Sequence, residues 1–250
     1  MRIDLNADVD EGLDEVDAAL IPLVTSANIA CGGHAGDEVT MVRTVEQAHR
    51  HDVTIGAHPG YPDREGFGRR RMELSTDELR DTILVQLERL DSVVRHAGAT
   101  IRHVKPHGAL YNAAAADVDV AMLVADAIRA LSPTLVLVGR AGSRLLDAGR
   151  AAGLPVAAEG FADRAYEPDG SLRPRDRAGA VFHEPAHVAE QAVSIARDRR
   201  APLEAGGWVA VEADTICLHG DAPGAAASAV AVREALARAG IDVATFAQGG

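Results

Sequence analysis

The chain has 250 residues, with 25 Lys+Arg against 37 Asp+Glu and a net charge of −12, a balance that argues against nucleic acid or an anionic membrane as a partner, because both are held by basic side chains neutralising phosphate. Its hydrophobic share of 47% beside 25% charged residues is that of an ordinary soluble protein and excludes bulk disorder. Two cysteines, Cys31 and Cys217, cannot form a disulfide framework, and a chain of this length needs none.

In chain order, the opening MRIDLNADVDEG lacks the apolar core of a signal peptide, and no later apolar run reaches the ~20 residues of a membrane span. A cytoplasmic location is therefore expected. Strands are predicted at 2–6, 23–30, 53–57, 101–105, 135–138, 154–158 and 214–218. In the first, Ile3 and Leu5 alternate with Asp4, Asn6 and Asp8, which places three polar side chains on one face. Helices are predicted at about 37–51, 75–97, 117–131, 141–152, 185–199 and 223–239. The second is the best marked: Ser75 and Glu78 form a capping-box pattern. Leu79, Ile83, Leu87, Leu90 and Val94 then follow on one helical face, and Gly98 stands where a left-handed cap belongs. Residues 159–184 break the rhythm. They are polar and turn-rich, with Pro168-Asp169-Gly170 as a turn signal, and read as a loop or hairpin insertion covering a site. The C-terminal Phe246-Ala-Gln-Gly-Gly is expected to fray.

Strands separated by helical patterns imply parallel β/α units. About seven of them in one domain spanning 1–250 predict a (β/α) barrel one strand short of eight. No G-x-G-x-x-G or Walker sequence follows the first strand, so the nucleotide-binding form of an open sheet lacks its signature.

The polar residues gather where strands end. Asn28 leads into Cys31-Gly-Gly-His34; the third strand runs into His58-Pro-Gly-Tyr61; the fourth into Lys105-Pro-His107 and Tyr111; the sixth into Glu159 and then Asp163-Arg164; the seventh into His219-Gly-Asp221. Carboxyl ends of parallel strands converge on one rim, so these residues are expected to share a site. Lys105 is the single lysine beside 24 arginines, and a lysine ammonium is compact and can lose its proton when desolvated, which Arg cannot do. His103 lies two residues earlier and is expected to face the same way. His49, His51, His96, His183 and His187 read as solvated. Both cysteines read as small buried residues rather than nucleophiles. Arg69-Arg70-Arg71 is a phosphate-binding candidate, although three consecutive side chains point in different directions. The Asp, Asn and His set would also suit a divalent metal, but no H-E-x-x-H motif is present, and the sequence leaves a metal unassigned.

Six segments resemble the LamB/YcsF family: DLNAD (4–8), VTSANIACGGHAGD (24–37), IGAHPGYPDREGFGRR (55–70), RHVKPHGALYN (102–112), EGFADRAYEPDGSL (159–172) and DTICLHGDAPGA (214–225). They span nearly the whole chain in order. The resemblance implies a distorted seven-stranded (β/α) barrel of the glycoside hydrolase/deacetylase type. It implies work with partner subunits B and C in the ATP-dependent opening of 5-oxoproline to L-glutamate, with ATP as co-substrate alongside Mg. Self-association is left open. There is one departure: the family start usually reads DLNCDLGEGFG, whereas this chain has DLNADVDEGLDEVD, with Ala7 for Cys and Asp10 for Gly. Asn6, Asp8, Glu11 and Gly12 are kept, and in an active protein the missing Cys cannot be an obligatory nucleophile.

A lactam carbonyl is protected by amide resonance. Phosphorylation of its oxygen by ATP would activate it, and water would then open the ring. Such a site needs a cation, for which Lys105 and Arg164 are the candidates, and groups that move protons, for which Asp8, His58, His107 and Asp221 are candidates. Asn6, Asn28, His34, Tyr61, Tyr111, Glu159 and His219 are the expected substrate-binding residues beside them. With no Walker motif, the nucleotide is expected to sit partly or wholly on a partner. Two competing readings are a stand-alone metal-dependent deacetylase of N-acetylated sugars and a non-catalytic scaffold protein.

Overall fold

The computed structural model describes residues 1–220 and 224–247. It opens with β1 (Arg2–Val9), α1 (Asp14–Leu20), β2 (Ser26–Ala30), α2 (Glu38–Arg50), β3 (Thr54–His58), α3 (Thr76–His96) and β4 (His103–Val104). Then come α4 (Gly108–Ala116), α5 (Val118–Leu131), β5 (Val136–Arg140), α6 (Arg144–Ala151), β6 (Val156–Phe161) and α7 (Pro185–Val193). The chain closes with β7 (Arg200–Pro202), β8 (Trp208–Ala210), β9 (Thr215–His219), α8 (Ala225–Arg238) and β10 (Asp242–Val243).

Seven of these strands close a parallel barrel in the order β1-β2-β3-β4-β5-β6-β9, and β9 returns to β1. Register along β1 shows how closure works: Asn6–Val9 pair with β2 while Asp4–Asp8 pair with β9. The barrel is thus the predicted one. β10 adds in parallel beside the first residues of β1, Arg2 and Ile3, and does not replace the missing eighth strand. β7 and β8 form a separate antiparallel hairpin.

Local rules account for the elements. Ser75 and Glu78 do form a capping box, α3 buries Leu79, Ile83, Leu87, Leu90 and Val94, and Gly98 is left-handed at φ +72°. Strand β1 runs three residues further than its apolar alternation indicates, because Asp8 points into a lined barrel rather than into a loop. The predicted helix over 185–199 ends earlier, at Val193. A π turn over Ser194–Asp198 and a left-handed Arg199 turn the chain into β7. Helices α1 and α4 were not expected. The first is short, with Asp14, Glu15 and Asp17 favouring its N-terminus. The second is announced by a turn signal, Pro106-His107-Gly108, which hides the helix-forming run Ala113–Ala116 behind it.

The expectation that the C-terminus frays from Phe246 is corrected for Phe246 and Ala247, while Gln248, Gly249 and Gly250 lie outside the described residues. The Phe246 ring sits 5.4 Å from that of His103, and Thr245 Oγ1 bonds Thr54 at 3.1 Å. An aromatic side chain that finds buried surface gains more than a free end retains in entropy. The insertion after β6 is held by two antiparallel bridges, Arg164 with Val181 and Tyr166 with Leu172. Among the described residues no helix is long and apolar enough to cross a membrane.

Candidate active site at the carboxyl end of the barrel

Alternation along β1 sets the site's foundations. Ile3, Leu5, Ala7 and Val9 join the apolar core, while Asp4, Asn6 and Asp8 form three polar layers inside the barrel. Asp4 accepts from Thr25, Ser26 and Thr215 hydroxyls. Asn6 Nδ2 donates to Glu159 Oε1 at 3.1 Å and Thr215 Oγ1 at 2.7 Å, and its Oδ1 accepts from Asn28 Nδ2 at 2.8 Å. The same Asn28 amide donates to Asp8 Oδ1 at 2.9 Å, and Asn28 Oδ1 bonds His103 Nε2 at 2.8 Å. Room for that imidazole comes from Gly56 on the neighbouring strand, where a Cβ would stand 2.0 Å from His103 Nε2.

Above these layers sits Lys105, 3% exposed. Its Nζ lies 2.8 Å from Asp8 Oδ1, 2.8 Å from Glu159 Oε1 and 3.2 Å from Cys217 Sγ. Burial alone would lower its pKa, but the Asp8 and Glu159 carboxylates outweigh it and hold the group well above its ordinary value. Lys105 is therefore a fixed cation and not the deprotonable base that its uniqueness in the sequence allowed. Burial likewise works against the Asp8 carboxylate, yet His58 and Lys105 bring it well below the usual range. Cys217 is pushed up by burial and stays a thiol, which agrees with the expectation of a buried, unreactive cysteine. Tyr111 completes the group by donating to Glu159 Oε2 at 2.6 Å.

On the other side of Asp8 stand three imidazoles. His58 Nε2 is 3.3 Å from Asp8 Oδ2, His107 Nδ1 is 3.0 Å from His58 Nε2, and the His34 ring lies parallel to that of His107 at 3.6 Å. Glu11 reaches into this cluster, with Oε1 3.0 Å from His34 Nε2 and 3.1 Å from His107 Nδ1. The donor atoms of Glu11, His34, His58 and His107 lie within 4.8 Å of one another, so this group has the chemistry to hold a cation. Packing here is tight. At Gly68, φ +61°, a Cβ would come within 2.8 Å of His34 Cβ and 2.9 Å of His107 Cδ2. A further pair closes the ring: His219 Nδ1 lies 2.9 Å from Asp163 Oδ2, and its backbone N–H donates to the same carboxylate at 3.0 Å. Against the effect of burial, His219 draws the Asp163 pKa below its ordinary value.

These groups open onto a cavity of about 510 Å³. Asp8, His58, Lys105, His107, Tyr111, Arg164 and His219 line it, together with Arg69, Arg140, Arg173 and Arg175. Five arginines and the only lysine thus face one cavity in a chain of net charge −12. The insertion after β6 supplies Arg164 and 171–175, as its expected covering role requires. It is tied to the barrel through Arg140, which donates to Gly170 O at 2.5 Å.

The remaining expected residues fall elsewhere. Asn6, Asn28 and Glu159 are buried beneath the cavity and position Asp8 and Lys105. His34 lies behind His107. Tyr61, 2% exposed, packs in the apolar core and does not line the cavity, because the turn Pro59-Gly60 carries it away from the rim. Asp221 lies outside the described residues. In the Arg69–Arg71 run, Arg70 pairs with Asp63 and Arg71 with Asp117, while Arg69 stands over Phe67 and lines the cavity. Sequence reasoning placed Asp163 at the rim without giving it a role and passed over Glu11 as a site residue. Both sit inside or beside the family-like segments, Glu11 two residues past the end of β1, and either could have been assigned there.

The sequence matches the LamB/YcsF family over residues 3–249. It is 50% identical to the 5-oxoprolinase A subunit of Methylococcus capsulatus, over 98% of this chain and 95% of that one. It is 51% identical to the protein of the same name from Chloroflexus aggregans, over 98% and 99%. The fold superposes on the crystal structure of a lactam utilization protein from Thermus thermophilus with a TM-score of 0.92 and 42% identity, covering 98% of this chain and all of the other.

Proposed function

The chain belongs to the LamB/YcsF family, and from that membership and the cation-lined cavity we propose that it is the A component of a 5-oxoprolinase, a hydrolase that opens the cyclic amide 5-oxoproline to L-glutamate with ATP as co-substrate. The observation that carries this reading is the near full-length identity of about half with relatives of that name. Their name marks one member of a multi-subunit complex, and we take the others to be subunits B and C. The nucleotide, with its Mg, is assigned to those partners, since no phosphate-cradling loop followed by Lys-Ser/Thr occurs in this sequence. The assembly is assigned to the cytoplasm, where ATP is available.

The cavity supports the chemistry. The substrate carries a carboxylate, and phosphorylation of its ring carbonyl oxygen adds further negative charge. Lys105 and the arginines provide fixed positive charge at that place. Such preorganised charge stabilises the transition state without reorganisation during the reaction. Water adds to the activated carbon, the ring C–N bond breaks as nitrogen takes up a proton, and a second water releases phosphate from the resulting acyl phosphate. We assign the proton from water to His219, which was expected only to bind substrate: it lines the cavity, and since Asp163 accepts from Nδ1–H, its Nε2 keeps a lone pair.

The purified chain is to be assayed for glutamate release from 5-oxoproline plus ATP, alone and with B and C. Little release alone and full release in the complex are expected. Strong release by the isolated chain would refute the partner dependence. Acetate release from an N-acetylated sugar, indifferent to ATP and partners, would overturn the substrate assignment.

A further inference from the structure

Two hydrogen bonds fix the tautomers of the imidazoles facing Glu11. His58 Nδ1 lies 2.7 Å from Lys105 O, and His107 Nε2 lies 2.9 Å from Phe67 O. A carbonyl oxygen only accepts, so each of those nitrogens carries the proton. The opposite nitrogens, His58 Nε2 and His107 Nδ1, face each other at 3.0 Å, so either a proton on His58, whose pKa Asp8 raises against the effect of burial, or a metal cation lies between them. Every other group at that point also accepts: Glu11 Oε1 is 3.1 Å from His107 Nδ1 and 3.8 Å from His58 Nε2, and Asp8 Oδ2 is 3.3 Å from His58 Nε2. Facing lone pairs repel unless a proton or a metal cation lies between them.

We propose that Glu11, His58 and His107 hold a divalent cation of the zinc class through Glu11 Oε1, His58 Nε2 and His107 Nδ1. Donors about 2.0–2.1 Å from zinc stand roughly 3.3–3.4 Å apart around a tetrahedron, and the observed separations of 3.0, 3.1 and 3.8 Å bracket that edge. Mixed imidazole and carboxylate donors select this class over magnesium or calcium. The backbone carbonyls behind both histidines are the outer partners that orient ligating imidazoles.

His34 belongs to that outer layer. Its ring is parallel to that of His107 within 3° at 3.6 Å, so an ion in the plane of one lies well off the plane of the other. His34 Nε2 instead donates to Glu11 at 3.0 Å, and its Nδ1 is buried without a partner. The three ligands line the cavity and His34 does not. Three protein ligands with a fourth position open to a cavity are the arrangement of reactive rather than structural zinc sites. The nearby set Asp8, Cys217 and His219 carries no such proposal, because the Lys105 ammonium already reaches Asp8 and Cys217.

The untagged full chain, dialysed against zinc and then against metal-free buffer, is to be analysed for metal content and melting temperature. About one zinc per chain is expected, with a melting temperature that falls on chelation and recovers on re-addition. Cobalt in its place is expected to give visible absorption of a low-coordinate site. Glu11→Gln, nearly isosteric, and His107→Ala are expected to lose stoichiometric metal, and His34→Ala to weaken binding about 10–100-fold. No retained zinc and no shift of melting temperature with zinc or cobalt would overturn the proposal and assign a shared proton to the facing nitrogens. Metal retained unchanged by Glu11→Gln and His107→Ala together would overturn it equally.

Discussion

Lys105 Nζ and Asp8 Oδ1 lie 2.8 Å apart with both side chains buried, so the barrel encloses an ion pair whose partners have exchanged water for each other. Glu159 Oε1 stands at the same distance from Lys105 Nζ. The lysine therefore neutralises two carboxylates from different strands, and losing it leaves both uncompensated. Removing one partner of a buried pair costs about 3–5 kcal/mol. Lys105→Met is expected to lower stability by that order in denaturant titrations. Lys105→Arg keeps the charge but brings a larger, planar head into a slot bounded by Cys217 Sγ at 3.2 Å and the Phe161 ring. It is expected to fold and to lose most glutamate release in the assembled complex. Near wild-type turnover of that variant would remove Lys105 from the reaction.

Gly68 is required by both its backbone and its neighbours. Gly68→Ala places a Cβ at φ +61° against His34 and His107. The expected result is a destabilisation of about 1–3 kcal/mol with loss of activity, since His107 must move. Thermal melts and turnover of the complex check the pair of effects. Unchanged activity would show that the position of His107 does not matter to the reaction.

Asp4 makes stability depend on pH. Burial pushes its pKa up to about 6, although Thr215, Ser26 and Thr25 hydroxyls pull the other way. The folded chain then holds this proton more tightly than the unfolded chain, whose Asp titrates near about 3.9. The contribution of Asp4 is most favourable below about pH 4 and is lost as pH rises to about 6, by at most about 3 kcal/mol. Asp4→Asn is expected to flatten the stability profile between those values. Parallel profiles for the two proteins would show that Asp4 does not titrate there.

Asp10 occupies a left-handed position at φ +64°, with its Oδ2 buried and unpartnered. This is the site at which the LamB/YcsF pattern has Gly. Asp10→Gly relieves the backbone conformation and removes an unsatisfied buried oxygen. Against that stands the greater entropy of an unfolded glycine. A net gain of about 1 kcal/mol is expected, visible as a raised melting temperature. A lowered one would show that the Asp10 side chain stabilises the loop after β1.

The barrel was legible in the sequence because its causes are local. Apolar strand cores recur between amphipathic helices, and the Ser75–Glu78 cap and Gly98 mark the two ends of α3. The clustering of His58, Lys105, His107 and His219 was legible too, since parallel strands must bring their carboxyl ends to one rim. Function was carried by the family-like segments rather than by composition. The net charge of −12 gave no sign that arginines would line the cavity, because net charge does not record where charges are placed. Tertiary structure alone decided which polar residues touch the cavity and which support it. Tyr61 turned into the core, Asn28 became a brace shared by Asn6, Asp8 and His103, and Glu11 entered the histidine cluster from the loop after β1. Those outcomes depend on distances between strands far apart in sequence. So do the tautomers of His58 and His107, which are set by backbone carbonyls of Lys105 and Phe67 that no residue pattern marks as their partners.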